Sequence, residues 1–197
     1  FIIYSILAGG FAAIILLPEI YALGYTASGD FDFPNTLSRY FSFVTIISRH
    51  LINVEVHTGL EHLPNIYCGV AVLLLFPLYI LSKKISRREK IAQVLLLIVF
   101  FTAFNLNIPN FIWHGFHFPN SLPCRQSFIY IFVLLTICYD ALKSIEDTKE
   151  SRISAIFWGV ALFLLYLGNA FTTEELTVDS LYMSAIFIAI YALVMLI

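Results

Sequence analysis

Apolar runs at about residues 1–25, 66–82, 91–104, 128–142, 153–168 and 181–197 leave this chain little choice of solvent. A helix that crosses a bilayer needs about 20 mainly apolar residues, with roughly 17 tolerated. The runs therefore predict an all-α protein, a polytopic transmembrane helix bundle of about six spans. The third and fourth runs are short and are expected to borrow residues from the connection between them. At 60% hydrophobic and 12% charged residues, the chain lies far from soluble domains, which are about 45–50% apolar and roughly 25% charged. The first run is already a full-length span, so no secretory signal pattern is set aside. The chain opens on Phe1 without a methionine and its last apolar run ends at Ile197, which reads as a fragment, residues 1–197, of a larger transmembrane domain with further helices as packing partners.

Charge orients the spans. The connection at residues 83–90 carries Lys83, Lys84, Arg87, Arg88 and Lys90, and the one at residues 143–152 carries Lys143, Lys149 and Arg152. The alternate connections, at about residues 27–65, 105–124 and 169–180, carry only Arg39 and Arg49. By the positive-inside rule the first pair is cytoplasmic and the second set faces outward. A net charge of −2 gives no reason to expect a nucleic-acid partner.

Residues 105–128 gather the polar side chains of chemical use. Asn105, Asn107, Asn110, His114, His117, Asn120, Ser121, Arg125 and Gln126 stand among Pro109, Pro119 and Pro123. Prolines at that spacing prevent one continuous helix, since each lacks an N–H and restricts the residue before it. Irregular backbone between two spans sits in water or lines a protein cavity. Ser121 is expected to cap the following helix, with Pro123 in its first turn and Arg125 near its start. A helix N-terminus suits phosphate, and arginine adds a planar bidentate donor. His114 and His117, three apart, would share one side of a helical turn. Arg125, His114, His117 and Asn120 are thus the candidate site for a phosphorylated lipid head group, walled by Phe111, Trp113, Phe116 and Phe118. Interface decoration is the competing reading, because Trp, His and Arg gather at membrane surfaces without any ligand. No third ligand suits a metal beside the two histidines, and no nucleotide motif is present, so no cofactor is assigned.

Elsewhere the readings are structural. Glu19 after Pro18 is read as reaching the outer interface from a kinked helix. Leu37, Tyr40, Phe41, Val44, Ile47 and Leu51 recur at helical spacing after Pro34-Asn35, predicting an outer amphipathic helix with Ser38, Ser42, Thr45 and Arg49 on its other face. His50, His57 and His62 are read as solvated interface residues, since their spacings match no helical ligand pair. Gly69 is expected to allow close helix approach, and Asp179 to cap the last helix. Cys68, Cys124 and Cys138 have no metal-type spacing and are read as unpaired thiols. Asp30 and Asp32 are read as chance acidic loop residues.

The run Trp113-His114-Gly115-Phe116-His117-Phe118-Pro119-Asn120, continuing through Pro123, Arg125, Ser127 and Phe128, resembles the signature of the bacterial YfhO family. Asn65-Ile66-Tyr67-Cys68-Gly69 and Arg88-Glu89-Lys90 resemble that family at matching separations, so the similarity covers about residues 63–142. Cys124 and Gln126 stand where the family commonly has aromatic residues. The resemblance implies a many-helix bacterial cell-membrane protein with the fold of the C-type glycosyltransferases. It implies transfer of a sugar from a polyprenyl-phosphate carrier to an extracellular acceptor such as lipoteichoic acid. The catalytic carboxylate of such enzymes lies in the first outer loop of the whole protein, which is expected to precede Phe1, so no catalytic residue is assigned. A transporter or flippase of a lipid-linked substrate would show broken helices in paired repeats. A non-catalytic membrane scaffold is the other alternative.

Overall fold

The computed structural model describes residues 2–26, 33–59, 62–119, 121–146, 148–170 and 176–197. Its elements run α1 (Ile2–Leu23), α2 (Phe43–Ser48), α3 (Val72–Leu81), α4 (Arg87–Asn105), α5 (Asn107–Trp113), α6 (Ser127–Lys143), α7 (Glu150–Ala170) and α8 (Val178–Leu196). The fold is all-helical among the described residues, with a single antiparallel bridge between Arg39 and Leu106. Among the described residues, three helices are long and apolar enough to cross a membrane: α1, α7 and α8.

Helix α3 sits at the centre and packs against α6, α7 and α8, while α4 packs on α6 and α7 on α8. Its sequence, VLLLFPLYIL, has no polar face, and a helix that is apolar all round belongs inside a bundle. Val72, Leu74, Leu75, Leu78 and Tyr79 are buried there. The second apolar run is therefore only partly helical. Ten residues of α3 reach about 15 Å, and residues 62–69 approach it in non-helical backbone with Ile66 fully buried.

The other helices turn apolar side chains outward. On α6, Phe128, Phe132, Leu135, Tyr139 and Leu142 form an exposed stripe, opposite buried Tyr130, Val133, Leu134, Ile137 and Ala141. Every described residue of α1 is exposed or half-exposed, with Phe11 and Ile14 each at 81%. Soluble monomers rarely show contiguous apolar surface of this extent; lipid is the solvent that suits it.

The segment between α1 and α3 departs from the predicted amphipathic helix. Only α2 is helical, capped by Ser42, whose hydroxyl accepts from the Thr45 N–H at 3.3 Å. Residues 36–41 instead follow the α4–α5 junction in non-helical backbone. Two asparagines hold them there. Asn105 accepts from the Tyr40 N–H with its carbonyl (2.8 Å) and from the Phe41 N–H with its side chain (3.0 Å). Asn107 accepts from the Ser38 N–H (2.9 Å) and donates its side-chain amide to the Thr36 carbonyl (2.8 Å). Side-chain partners for the backbone thus override a helical pattern that local periodicity favoured.

Arg49 and His50 are buried rather than solvated. The Arg49 guanidinium donates to the carbonyls of Pro64 (3.0 Å) and Glu55 (2.6 Å) and to Asn65 Oδ1 (2.8 Å). Asn65 in turn donates to the His57 carbonyl at 2.7 Å. His50 Nδ1 lies 2.8 Å from the Ile46 carbonyl, which can only accept, so Nδ1 carries the proton. Nε2 then accepts from the Tyr130 hydroxyl at 3.0 Å. Burial pushes the His50 imidazole down from its ordinary 6.5 to about 4. Between those values the unfolded chain binds a proton that the fold refuses, so stability falls as pH drops from about 6.5 toward 4. The full loss is roughly 3 kcal/mol. Thermal unfolding midpoints that decline from about pH 7.5 to about pH 5 in wild type, and decline less in His50→Gln, are the expected result.

Three smaller expectations are also corrected. Gly69 has φ +101° and its missing Cβ would meet nothing within 4 Å, so it serves a left-handed turn rather than a close helix approach. The α8 cap is Thr177, whose hydroxyl accepts from the Ser180 N–H at 3.2 Å; Asp179 lies in the first turn, where its charge suits the helix dipole. Ser121 does not cap α6, which begins at Ser127 after Gln126 with no side-chain cap. Left-handed backbone at Leu122 (φ 47°) and Cys124 (φ 64°) stops the helix from starting earlier.

Candidate functional site

Helix α5 carries the start of the polar stretch. Pro109 is its third residue, where the absent N–H has no intrahelical partner to lose. Its end is a glycine cap: Gly115 (φ 72°) donates to the Ile112 carbonyl at 3.2 Å and Phe116 to the Phe111 carbonyl at 2.9 Å. The Phe111 and Phe116 rings meet edge-on at 6.2 Å. This pair of bonds with its hydrophobic contact is a Schellman motif, and it explains the Trp-His-Gly-Phe run. It also separates His114 from His117, which do not share a helical turn as expected. Gly115→Ala meets no steric obstacle, so its expected cost is the left-handed conformation alone, about 1–2 kcal/mol, read as a lowered thermal unfolding midpoint.

Above this cap a cluster of neutral polar groups forms around Asn110, which is fully buried. His114 Nδ1 lies 2.9 Å from the Asn110 carbonyl and so carries its proton there. The Asn110 side-chain amide donates to His62 Nδ1 at 3.4 Å. The His62 ring stacks on Tyr40 with centroids 3.7 Å apart and planes at 2°. Burial, and then the nearby His114, lower the His62 imidazole below its ordinary range. Burial also lowers His114, the Asn110 carbonyl opposes this, and His117 and Arg125 lower it further. Both rings are therefore neutral at pH 7. Two acceptors in the cluster, Asn110 Oδ1 and His114 Nε2, are buried without a hydrogen-bond partner among the described residues. Leaving such an atom unsatisfied costs about 1–3 kcal/mol.

Arg125 lies exposed in the turn before α6, with its guanidinium folded onto the Leu122 (3.3 Å) and Ser121 (3.1 Å) carbonyls. It is near enough to His114 for its charge to act there, but no hydrogen bond joins them. His117 is half-buried close by. Asn120 lies outside the described residues, as do Asp30 and Asp32. Cys124 and Gln126 are both buried. Burial raises the Cys124 thiol to about 12, and both amide atoms of Gln126 lack partners among the described residues.

Sequence reasoning missed His62 and Tyr40, which come from a segment far along the chain. No spacing signal connects residue 62 to residue 110; only the fold does. An apolar cavity of about 480 Å³ opens between α2, α3, α4, α6 and α7, lined among others by Phe43, Leu97, Phe101 and Phe163. Its polar end is the His50–Tyr130 pair. Phe104 and Phe100 of α4 connect the two regions, Phe104 packing on Tyr130 and Phe100 on Trp113.

Helices with lipid-type outer surfaces around an irregular polar connection define a helical membrane protein. The match to known families agrees with that class. The chain belongs to the family described as bacterial membrane protein YfhO, whose family model matches residues 1–197. No curated protein and no solved structure matches the chain significantly.

Proposed function

We propose that this chain is part of a membrane glycosyltransferase that moves a sugar from a polyprenyl-phosphate carrier to an extracellular acceptor such as lipoteichoic acid. One observation carries the reading: the buried acceptors Asn110 Oδ1 and His114 Nε2 have no partner among the described residues, and the charge of the exposed Arg125 acts on His114. A sugar offers hydroxyl donors for the acceptors, a phosphate suits the guanidinium, and an isoprenoid chain suits the cavity. The neutral His114 then binds a hydroxyl rather than the phosphate, because its Nδ1 proton is already given to Asn110. In the reaction the acceptor oxygen bonds to the sugar's anomeric carbon as the bond from that carbon to the phosphate oxygen breaks. The acceptor proton passes to a carboxylate general base that is assigned to no residue here. Arg125 stabilises the charge that develops on the departing polyprenyl phosphate, with His117 and Asn120 as helpers.

This reading takes the chain as six spans, with residues 66–82, α4 and α6 crossing as well. The exposed apolar stripe of α6 and the exposed Ile91, Leu95, Ile98 and Val99 of α4 support it. Non-helical backbone before α3 is tolerable at membrane depth where protein buries it, as it does Leu63, Ile66 and Val70. The two basic connections meet at one end of the bundle, as a shared cytoplasmic face requires. Residues 105–124 then face outward.

The test is binding and transfer by the full-length protein with a radiolabelled polyprenyl-phosphate sugar. Wild type is expected to bind the donor and label the polymer. His114→Ala is expected to weaken donor binding by about tenfold, the value of one hydrogen bond of about 1–1.5 kcal/mol. Donor binding without transfer by wild type would favour the scaffold, and movement of intact donor across the bilayer would favour the flippase.

A further inference from the structure

At the opposite end of α6, about 25 Å from Arg125's turn by helix length, a second cavity of about 210 Å³ has a different chemistry. Four cations line it: Lys83 and Lys84 from the connection after α3, and Lys149 and Arg152 from the start of α7. No carboxylate stands among the described residues that line it. Lys83, Lys149 and Arg152 make no ion pair among the described residues, where the pair seen is Lys143 with Asp140 at 3.9 Å. Lys83, Lys149 and Arg152 bring like charges together from two separate connections, with no neutralising carboxylate among the described residues that line the cavity, which is unfavourable unless an anion joins them.

The walls are fixed by hydroxyls. Ser144, buried, donates to the Ala141 carbonyl at 2.9 Å, and Thr148 donates to the Ser144 carbonyl at 3.0 Å. Ser82, 6% exposed, accepts from the Lys84 N–H at 3.3 Å, and its own hydroxyl hydrogen has no acceptor among the described residues. A buried O–H donor and four cations thus face one small space. Its volume falls below the roughly 300–1,000 Å³ of a site for a drug-sized molecule, so it admits a head group rather than a nucleotide. Apolar side chains adjoin it along the chain: Leu81, the last residue of α3 and the neighbour of Ser82, and Leu142, the last residue but one of α6, are 50% and 44% exposed. Lys143 lies over the exposed Tyr139 ring at 4.4 Å, an amphipathic pairing suited to a membrane interface.

We propose that this cavity binds the phosphate head group of an anionic phospholipid, with Lys83, Lys149 and Arg152 as the contacting cations and Ser82 as a neutral donor. The adjoining apolar side chains select a phosphate carried on acyl chains over the free ion. The site is separate from the glycosyl-transfer reading and stands or falls without it.

The test titrates the detergent-purified full-length protein with short-chain phosphatidylglycerol, phosphatidylcholine of equal chain length, and inorganic phosphate. Wild type is expected to bind phosphatidylglycerol in preference to both others. K83Q/K149Q/R152Q is expected to weaken that binding about a hundredfold, and R87Q/R88Q, which removes exposed charges of the same connection outside the cavity, to leave it near wild type. If the triple variant does not purify as a folded protein, Lys149→Gln alone is expected to weaken binding about fivefold. Equal loss per charge in R87Q/R88Q, or unchanged binding in the cavity variants, would overturn the site. Tighter binding of inorganic phosphate than of phosphatidylglycerol would overturn the lipid assignment.

Discussion

Arg125→Ala in the full-length protein is expected to lower sugar transfer by about 10²–10³-fold, the usual effect of removing one preorganised donor from a developing anion. Its thermal unfolding midpoint is expected to stay near wild type. The side chain is exposed and its bonds reach only carbonyls of its own turn, and surface changes of this kind usually stay within about 0.5 kcal/mol. Arg125→Lys keeps the charge and loses the planar fork, so an intermediate loss is expected. The backbone around Arg125 sharpens the prediction. Phe116, Leu122 and Cys124 all hold positive φ, which costs roughly 1–2 kcal/mol each for residues with a side chain. Strain of this kind is retained where a loop must present a group in one way. Full transfer activity in Arg125→Lys, measured in cells, would end the phosphate-clamp assignment.

Arg49→Ala is expected to do the reverse and act on the stability of the fold. Arg49 is 3% exposed, and its guanidinium ties Pro64, Glu55 and Asn65 to the end of α2. Losing it leaves two carbonyls and an amide oxygen short of their donor in a dry region. Hydrogen bonds to charged groups contribute about 1.5–3 kcal/mol each, so a loss of at least about 3 kcal/mol is expected. That is a large fraction of the roughly 5–15 kcal/mol that stabilises a typical domain. Arg49→Lys should recover little, since an ammonium cannot reach three acceptors set in different directions. Yield of folded protein and the thermal unfolding midpoint measure this, and a midpoint unchanged in Arg49→Ala would show that the knot is dispensable. The two arginines therefore separate activity from stability, although the sequence presents both simply as basic residues in outer connections.

The membrane class, the long helices and the family were all legible in the chain. Apolar runs of spanning length have one favourable environment, and the signature around Trp113-His114-Gly115 is read without any contact information. The special nature of residues 105–128 was also visible, because proline and asparagine interrupt helices by local chemistry. Gly115 ends α5 through bonds confined to six consecutive residues, so its role is local as well.

The long-range assignments were not legible. His50, His57 and His62 read as solvated, yet His50 is buried against Tyr130 and His62 stacks on Tyr40 beside Asn110. The predicted helix over residues 37–51 shrank to α2, because Asn105 and Asn107 offer non-helical backbone better partners than a helix would. Sequence alone determined which segments leave water and where helices must break, since hydrophobicity and backbone chemistry act over a few residues. Only the tertiary structure decided which polar groups lose their water and meet, because desolvation and hydrogen-bond pairing between distant segments exist only once the helices have packed.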